Sequence, residues 1–245
     1  VDRFFDLEST GITPWFYEFG QVNKKNDEEI FDEVQNSNIF LLSSIAGEGK
    51  STTFKDFALK LIKKFPWKWI QYVDLKKHFD AFERFNKSEE ISQFLSQKLL
   101  KLSDFEGEIF TNLFTSDNVT FLWDGVDEIS PTFNDVILEI IKSIKNISKN
   151  VQFISTRPQH SARFQKVLNI RAYKLIPLGK VEQWELMKKL VTSKYNECSM
   201  ESIGCSKILN KSSEILNTFE NSIEGFKLLN PLLIGIIAEI AGDER

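Results

Sequence analysis

The feature that most constrains this chain is a set of five short apolar runs separated by segments of helical periodicity. The runs are residues 39–42, 69–73, 119–123, 151–154 and 173–176. Runs this short and this rich in large apolar residues are typical of strands buried on both faces, as in a parallel sheet covered by helices. The sequence therefore predicts an α/β fold with a five-stranded parallel sheet.

The segments between the runs predict amphipathic helices, because their apolar residues recur three and four positions apart. Two such stripes consist of Phe54, Phe57, Ala58, Leu61, Ile62 and Phe65, and of Val136, Ile137, Ile140, Ile141 and Ile144. After Leu178 the pattern is helical only, beginning with a stripe of Val181, Trp184, Met187 and Val191. We expect a small helical subdomain in this last part of the chain.

A glycine-containing loop follows the first run and leads into a Lys-rich helix. Its residues are Ala46, Gly47, Glu48, Gly49, Lys50, Ser51 and Thr52. A strand, such a loop and then a helix form the context of a phosphate-binding loop, in which backbone N–H groups and the helix N-terminus surround the phosphates. In that arrangement Lys50 binds the β- and γ-phosphates and the Ser51 hydroxyl coordinates Mg²⁺.

This motif departs from the strict pattern G-x-x-x-x-G-K-[ST], because Ser44 stands where the first glycine is expected. The loop alone is therefore also compatible with a glycine-rich turn before a Lys-rich helix. A second motif favours the phosphate-binding interpretation.

That second motif is an acidic segment at the end of the third run. Asp124 ends the run and is followed by Gly125, Val126, Asp127 and Glu128. The carboxyl ends of parallel strands meet at one edge of the sheet, where ligands bind in such folds. We expect Asp124 to hold Mg²⁺, and Asp127 and Glu128 to orient or deprotonate an attacking water, with Glu128 slightly preferred as the base.

Arg157 follows the fourth run in the segment 153–158, Phe-Ile-Ser-Thr-Arg-Pro. An Arg at the carboxyl end of a strand beside the phosphate loop is placed to contact a γ-phosphate. The alternative is a surface Arg that pairs with an acid.

Taken together, the segments AGEGKST, FLWDGVDE, ISTRP and NPLLIGIIAEI resemble the NACHT domain of the STAND class of P-loop NTPases, the nucleotide switches of NOD-like receptors in innate immunity. The resemblance covers residues 27–242. It implies a P-loop core in which the strand before Arg157 lies between the strands of the Walker A and Walker B motifs. It also implies a helical domain whose proline, here Pro231, packs near the adenine.

The resemblance also bears on turnover. Wider AAA+ relatives carry a catalytic Glu directly after the Walker B Asp, and this chain has Gly125 there. Hydrolysis would then depend on Asp127 and Glu128, in agreement with a slow switch.

Composition and charge bear on the location of the protein and on its binding partners. No apolar run approaches the ~20 residues of a membrane span, and the first residues do not resemble a secretory signal. There are 2 Cys in 245 residues, which fits a reducing compartment and a cytoplasmic location. The net charge of −4 gives no support for a direct nucleic-acid surface.

The sequence thus predicts a module that binds ATP or ADP with Mg²⁺, a signalling switch with weak ATPase activity cut from a larger intracellular receptor. We expect residues 1–26 to be an N-terminal segment or linker, residues 27–177 the nucleotide-binding domain and residues 178–245 the helical subdomain. Self-association is expected only in the full-length protein. The alternatives are a nucleotide-retaining scaffold without turnover and a P-loop kinase or GTPase.

Overall fold

The computed structural model describes residues 16–18, 24–129, 131–194, 203–222 and 230–243. Its centre is a seven-stranded sheet in the order β2-β1-β7-β3-β6-β5-β4. The strands are β1 (Phe16–Glu18), β2 (Lys24–Lys25), β3 (Ile39–Ser43), β4 (Trp69–Asp74), β5 (Val119–Asp124), β6 (Val151–Thr156) and β7 (Ala172–Leu175). The five strands from β7 to β4 are parallel, which confirms the predicted α/β fold with a five-stranded parallel sheet and flanking helices.

Two short strands were not predicted. β1 pairs antiparallel with both β7 and β2, so these two strands extend the edge of the sheet. Strands of three and two residues carry too few positions for a period of two to be recognised. They are defined only by their pairing, β1 with β7 and β2 with β1.

Alternate residues of the central strands enter two separate cores. Ile39 and Leu41 of β3 belong to the core on one face, and Phe40 and Leu42 belong to the core on the other. β3, β5 and β6 are buried along their whole length. Burial on both faces explains why these strands carry apolar residues on both sides instead of alternating apolar and polar positions.

Several of the helices that cover the sheet begin or end at capping residues. Asn26 and Ser103 each form a capping box with the Glu three residues later, and Asn38 and Asn169 end two helices in the left-handed conformation. The helices are Asp27–Ser37, Lys50–Lys64, Phe79–Glu83, Ile91–Gln93 with a π-helical continuation over Phe94–Leu99, Asp104–Thr115, Pro131–Ile147 and Pro158–Leu168.

The apolar stripe predicted after the first run is largely correct. Phe54, Phe57 and Leu61 are fully buried in the core that the helix Lys50–Lys64 shares with β3 and β6. Ile62 is the exception, because 51% of it is exposed. It directly precedes Lys63 and Lys64, the basic residues of the last turn.

The contacts divide the described chain into two units, of which one holds the sheet and the other holds residues 46–49 and the chain from 176 onward. The second unit contains the helices Lys180–Lys194, Ile203–Ser222 and Pro231–Asp243 around their own apolar core. Its described residues include no strand after Leu178. The stripe predicted for its first helix was wrong at Val181, which is 70% exposed. The buried side of that helix consists of Leu186, Met187, Leu190 and Val191.

Among the helices of the described ranges, none combines the length and the apolar character that crossing a bilayer requires.

Candidate functional site

The loop between β3 and the helix Lys50–Lys64 has two glycines in the left-handed region, Gly47 at φ 81° and Gly49 at φ 91°. Side chains with a Cβ rarely adopt this conformation, so the two glycines allow the loop to reverse before the helix begins at Lys50. The Lys50 side chain turns back toward its own loop. Its Nζ donates to the carbonyl oxygens of Ser44 at 2.8 Å and Ile45 at 3.2 Å, and the residue is 9% exposed.

Ser44 explains the departure from the strict motif. Its Oγ accepts a hydrogen bond from the backbone N–H of Leu175 at 3.2 Å, and its own N–H donates to the carbonyl of Thr156 at 3.2 Å. It is 2% exposed and lies outside the left-handed region. Ser44 therefore continues the sheet between β7 and β6, and its position does not require glycine.

The start of the helix Pro231–Asp243 lies against the loop glycines, within the second unit. The N–H of Leu232 donates to the carbonyl of Gly47 at 3.3 Å, while Asn230 caps the helix by accepting from the N–H of Leu233 at 2.9 Å. A Cβ at Gly49 would lie 3.9 Å from the ring of Pro231. Pro231 is thus beside the glycine loop, and its packing against an adenine stays a prediction.

Asp124 ends β5 and is 4% exposed. Its carboxylate accepts two hydrogen bonds from hydroxyl groups on the neighbouring strands: Ser155 on β6 donates to Oδ1 at 2.5 Å, and Tyr72 on β4 donates to Oδ2 at 2.7 Å. The Ser155 Oγ in turn accepts from the N–H of Gly125 at 3.0 Å. Burial, together with the nearby Asp124 carboxylate, raises the pKa of the Tyr72 hydroxyl, so it remains a donor.

Asp127 and Arg157 are brought together as an ion pair. Arg157 Nε lies 2.6 Å from Asp127 Oδ2, and the Asp127 side chain is completely buried while that of Arg157 is 37% exposed. The alignment is poor: within the described part of the chain, neither Asp127 oxygen nor the Arg157 Nε has a hydrogen bond of good geometry. Arg157 thus pairs with an acid, as the alternative interpretation expected, and that acid belongs to the acidic segment that follows β5.

Glu128 occupies the more open position. It follows Asp127 in the 3₁₀ turn Val126–Glu128, its side chain is 29% exposed, and it forms an ion pair with Lys76. Lys76 lies in the 3₁₀ turn Leu75–Lys77, directly after β4. The two candidate bases therefore differ, because Asp127 is buried against Arg157 and Glu128 is accessible beside a lysine.

The remaining predicted residues are spread along the loop and the first turn of the following helix. Ala46 and Ser51 are exposed, whereas Glu48 and Thr52 are half-buried. No group of three or more His, Cys, Asp and Glu side chains in the described ranges is arranged to hold a metal ion. A metal bound by Ser51 and Asp124 would therefore need further ligands from the phosphates or water.

Three residues of this region escaped the sequence prediction: Tyr72, Lys76 and Ser155. Tyr72 and Lys76 belong to no recognisable motif, and Ser155 lies in the segment before Arg157 without a role having been predicted for it. The available signal was a polar group near the carboxyl end of an otherwise apolar run. Which of these groups meets Asp124 or Glu128 depends on the register between strands, which the sequence does not supply.

No family model matches the sequence, and no curated protein matches it. Two solved structures are similar. The Caenorhabditis elegans protein PCH-2 is 12% identical with a TM-score of 0.44 over 85% of this chain and 62% of that chain. Domain III of the Thermotoga maritima replication initiation protein DnaA is 12% identical with a TM-score of 0.47 over 86% of this chain and 89% of that chain. The chain thus spans less than two thirds of PCH-2.

The topology of the sheet itself defines the fold class. The order β7-β3-β6-β5-β4, with all five strands parallel and a glycine loop and helix after β3, is that of a P-loop NTPase-like α/β fold. In this order β6, which leads to Arg157, lies between β3 and β5.

Proposed function

We propose that this chain binds Mg²⁺ with ATP or ADP and is the switch module of a STAND-type signalling protein of the NACHT kind, with slow ATPase activity. One observation carries the proposal: in the strand order β3-β6-β5, the carboxyl ends of the strands that precede Lys50, Arg157 and Asp127 lie at one edge of the parallel sheet. This edge is where ligands bind in open α/β sheets. The NACHT assignment is supported further by Gly125 after the Walker B Asp and by Pro231 in the last described helix.

The residues present fit a nucleotide and its metal. Gly47 and Gly49 have the conformations that allow backbone N–H groups to turn toward an anion. The Lys50 ammonium is held by two carbonyl oxygens, which a phosphate group, with its formal negative charge, would replace with stronger partners. Ser51 and Asp124 would hold Mg²⁺, which when bound neutralises part of the phosphate charge.

The pairing of both candidate bases supports slow turnover. Glu128 must leave Lys76 before it can orient a water, and Asp127 is buried against Arg157. Arg157 must likewise leave Asp127 to contact a γ-phosphate. Each change exchanges one charged partner for another, so we expect the module to retain nucleotide for longer than an efficient ATPase does.

The same pairs favour one alternative, a scaffold in which ATP or ADP is a structural ligand. A single-turnover assay with radiolabelled ATP separates the two functions, because a scaffold releases the nucleotide unchanged. We also propose that residues 27–177 form the nucleotide-binding domain and residues 178–245 a helical subdomain, after an N-terminal segment of residues 1–26.

The decisive experiment is nucleotide binding by Lys50→Ala. Mg·ADP at about 100 times its dissociation constant should stabilise the wild type against urea by about 2.7 kcal/mol and leave Lys50→Ala unchanged. Lys63→Ala, an exposed substitution in the last turn of the same helix, is the matched control and should behave as the wild type. Equal stabilisation of wild type and Lys50→Ala would refute the site. The nucleotide released from freshly purified protein by denaturation identifies the base and the phosphate number.

A further inference from the structure

We propose that Tyr72 is a positioning residue for the metal-binding carboxylate of Asp124, an inference that rests on the proposed nucleotide function. Its hydroxyl donates to Asp124 Oδ2 at 2.7 Å. Tyr72 lies on β4, a strand to which the motif-based assignment gives no part in the site.

The register between β4 and β5 explains how the hydroxyl reaches the carboxylate. Tyr72 pairs with Leu122, and Asp124 lies two residues further along β5 on the same face. With neighbouring strands about 4.8 Å apart and a rise of about 3.3 Å per residue, the two backbones are roughly 8 Å apart at these positions. A tyrosine ring spans this distance and a shorter hydroxyl side chain does not. Tyrosine is therefore suited to this position for its length as well as for its donor.

The same ring also adjoins the helix that follows the glycine loop. Tyr72 packs against the core that includes Phe54 and Phe57 of the helix Lys50–Lys64. The Lys55 Nζ lies 5.7 Å from the centre of the Tyr72 ring. Because Lys55 is one helical turn after Ser51, Tyr72 lies between the two elements that carry the proposed metal ligands.

Two hydroxyl groups fix the orientation of the carboxylate from opposite sides. Tyr72 approaches one oxygen from β4 and Ser155 approaches the other from β6, with Ser155 itself oriented by the N–H of Gly125. A carboxylate has about four lone-pair sites, so two donors leave the others for a metal ion or its water. The partners behind a metal ligand commonly change metal affinity by 10- to 100-fold when they are removed.

The test compares Tyr72→Phe with the wild type by calorimetric titration of ADP, once in saturating Mg²⁺ and once in EDTA. Phenylalanine keeps the ring and its packing and removes only the hydroxyl. We expect the affinity in Mg²⁺ to fall by about tenfold and the affinity in EDTA to stay the same. The Mg²⁺ concentration that gives half of the full effect should rise by a similar factor.

Tyr173→Phe is the matched control. Tyr173 lies on β7 of the same sheet and donates its hydroxyl to the carboxylate of Glu33 at 2.6 Å, far along the strand order from β5. The change likewise withdraws a tyrosine hydroxyl from a carboxylate, and it also removes an acceptor of the Lys25 ammonium. It should leave the affinity for ADP unaltered in both solutions.

A double-mutant cycle with Asp124→Asn distinguishes positioning from a direct role. If Tyr72 acts through Asp124, then Tyr72→Phe has no further effect on the Mg²⁺ dependence once Asp124 is replaced. The inference would be overturned if Tyr72→Phe lost equal affinity for ADP in Mg²⁺ and in EDTA, if it lost none, or if it did not fold. The hydroxyl would then contribute only to folding or have no role. A wild type that binds no nucleotide refutes the proposed function and this inference with it, whereas an unaffected Tyr72→Phe refutes only the inference.

Discussion

The ion pair of Arg157 and Asp127 gives the sharpest prediction for stability. Asp127 has a fully buried side chain, and Arg157 Nε lies 2.6 Å from its Oδ2. Replacing Arg157 by Met keeps most of the side-chain volume and removes the charge, which leaves a carboxylate buried without compensation. Breaking a fully buried pair in this way costs about 3–5 kcal/mol. Because Arg157 is more than one third exposed, water can replace part of its effect, and we expect a loss of about 2 kcal/mol.

The assay is urea denaturation, combined with a double-mutant cycle. Asp127→Asn in the Arg157→Met background removes the buried charge, so most of the lost free energy of unfolding should return. Arg163→Met is the matched control. Arg163 pairs with Asp135 where both side chains are more than half exposed, and its loss should change the free energy of unfolding by less than about 0.5 kcal/mol.

The reasoning would be refuted if Arg157→Met and Arg163→Met were equally stable. It would also be refuted if Asp127→Asn failed to rescue Arg157→Met. In the first case water would already compensate the charge of Asp127. In the second case the loss of free energy of unfolding would come from the packing of the Arg157 side chain and not from its charge.

Four further predictions concern single residues. Ser44→Gly completes the strict motif but removes the acceptor for the Leu175 N–H, so it should lower the free energy of unfolding in urea by about 1–2 kcal/mol; a stabilised variant would contradict this role. Gly47→Ala should lower the melting temperature more than Gly49→Ala, because both backbones have a positive φ that strains alanine but only the Cβ at Gly47 would lie 3.0 Å from Asn230 Nδ2. Equal melting temperatures would show that the neighbours of Gly47 adjust freely. If Glu128 is the base, Lys76→Ala should raise single-turnover hydrolysis several-fold and Glu128→Gln should abolish it, whereas no change in either would exclude Glu128. Burial lowers the pKa of His78 from its usual 6.5, so as the pH drops below about 6.5 the unfolded chain takes up a proton there before the folded chain does, and the free energy of unfolding falls. His78→Gln should reduce this loss of stability between about pH 8 and about pH 5 in urea titrations. An unchanged loss would assign it to other groups.

The predicted strands were correct because the signal for them is local. A strand buried on both faces favours apolar residues at successive positions, and β3, β5 and β6 are so buried. The exposed position of Val181 shows where the same reasoning fails. An apolar residue near the start of a helix satisfies the helical spacing whether or not anything covers it, and coverage is a property of the neighbouring elements.

The loop motif was also visible in the sequence, but the hydrogen-bond partners of its residues were not. The spacing from Gly47 to Ser51 is local and could be matched directly. That Lys50 binds two carbonyl oxygens of its own loop depends on the folded path of that loop. The mismatch at Ser44 was visible as well, yet its cause is a hydrogen bond from β7, 131 residues away along the chain.

The sequence by itself determined the α/β class, the five parallel strands and the residues at their carboxyl ends, because hydrophobic periodicity and glycine-containing turns act over a few neighbouring residues. Tertiary structure alone decided the partners of those residues: Tyr72 and Ser155 for Asp124, Arg157 for Asp127 and Lys76 for Glu128. Each of these pairs joins side chains from different strands or from the turns that follow them. Their contact depends on strand order and register, which arise from the packing of the whole sheet. Neither can be recognised from the residue at any single position of the chain.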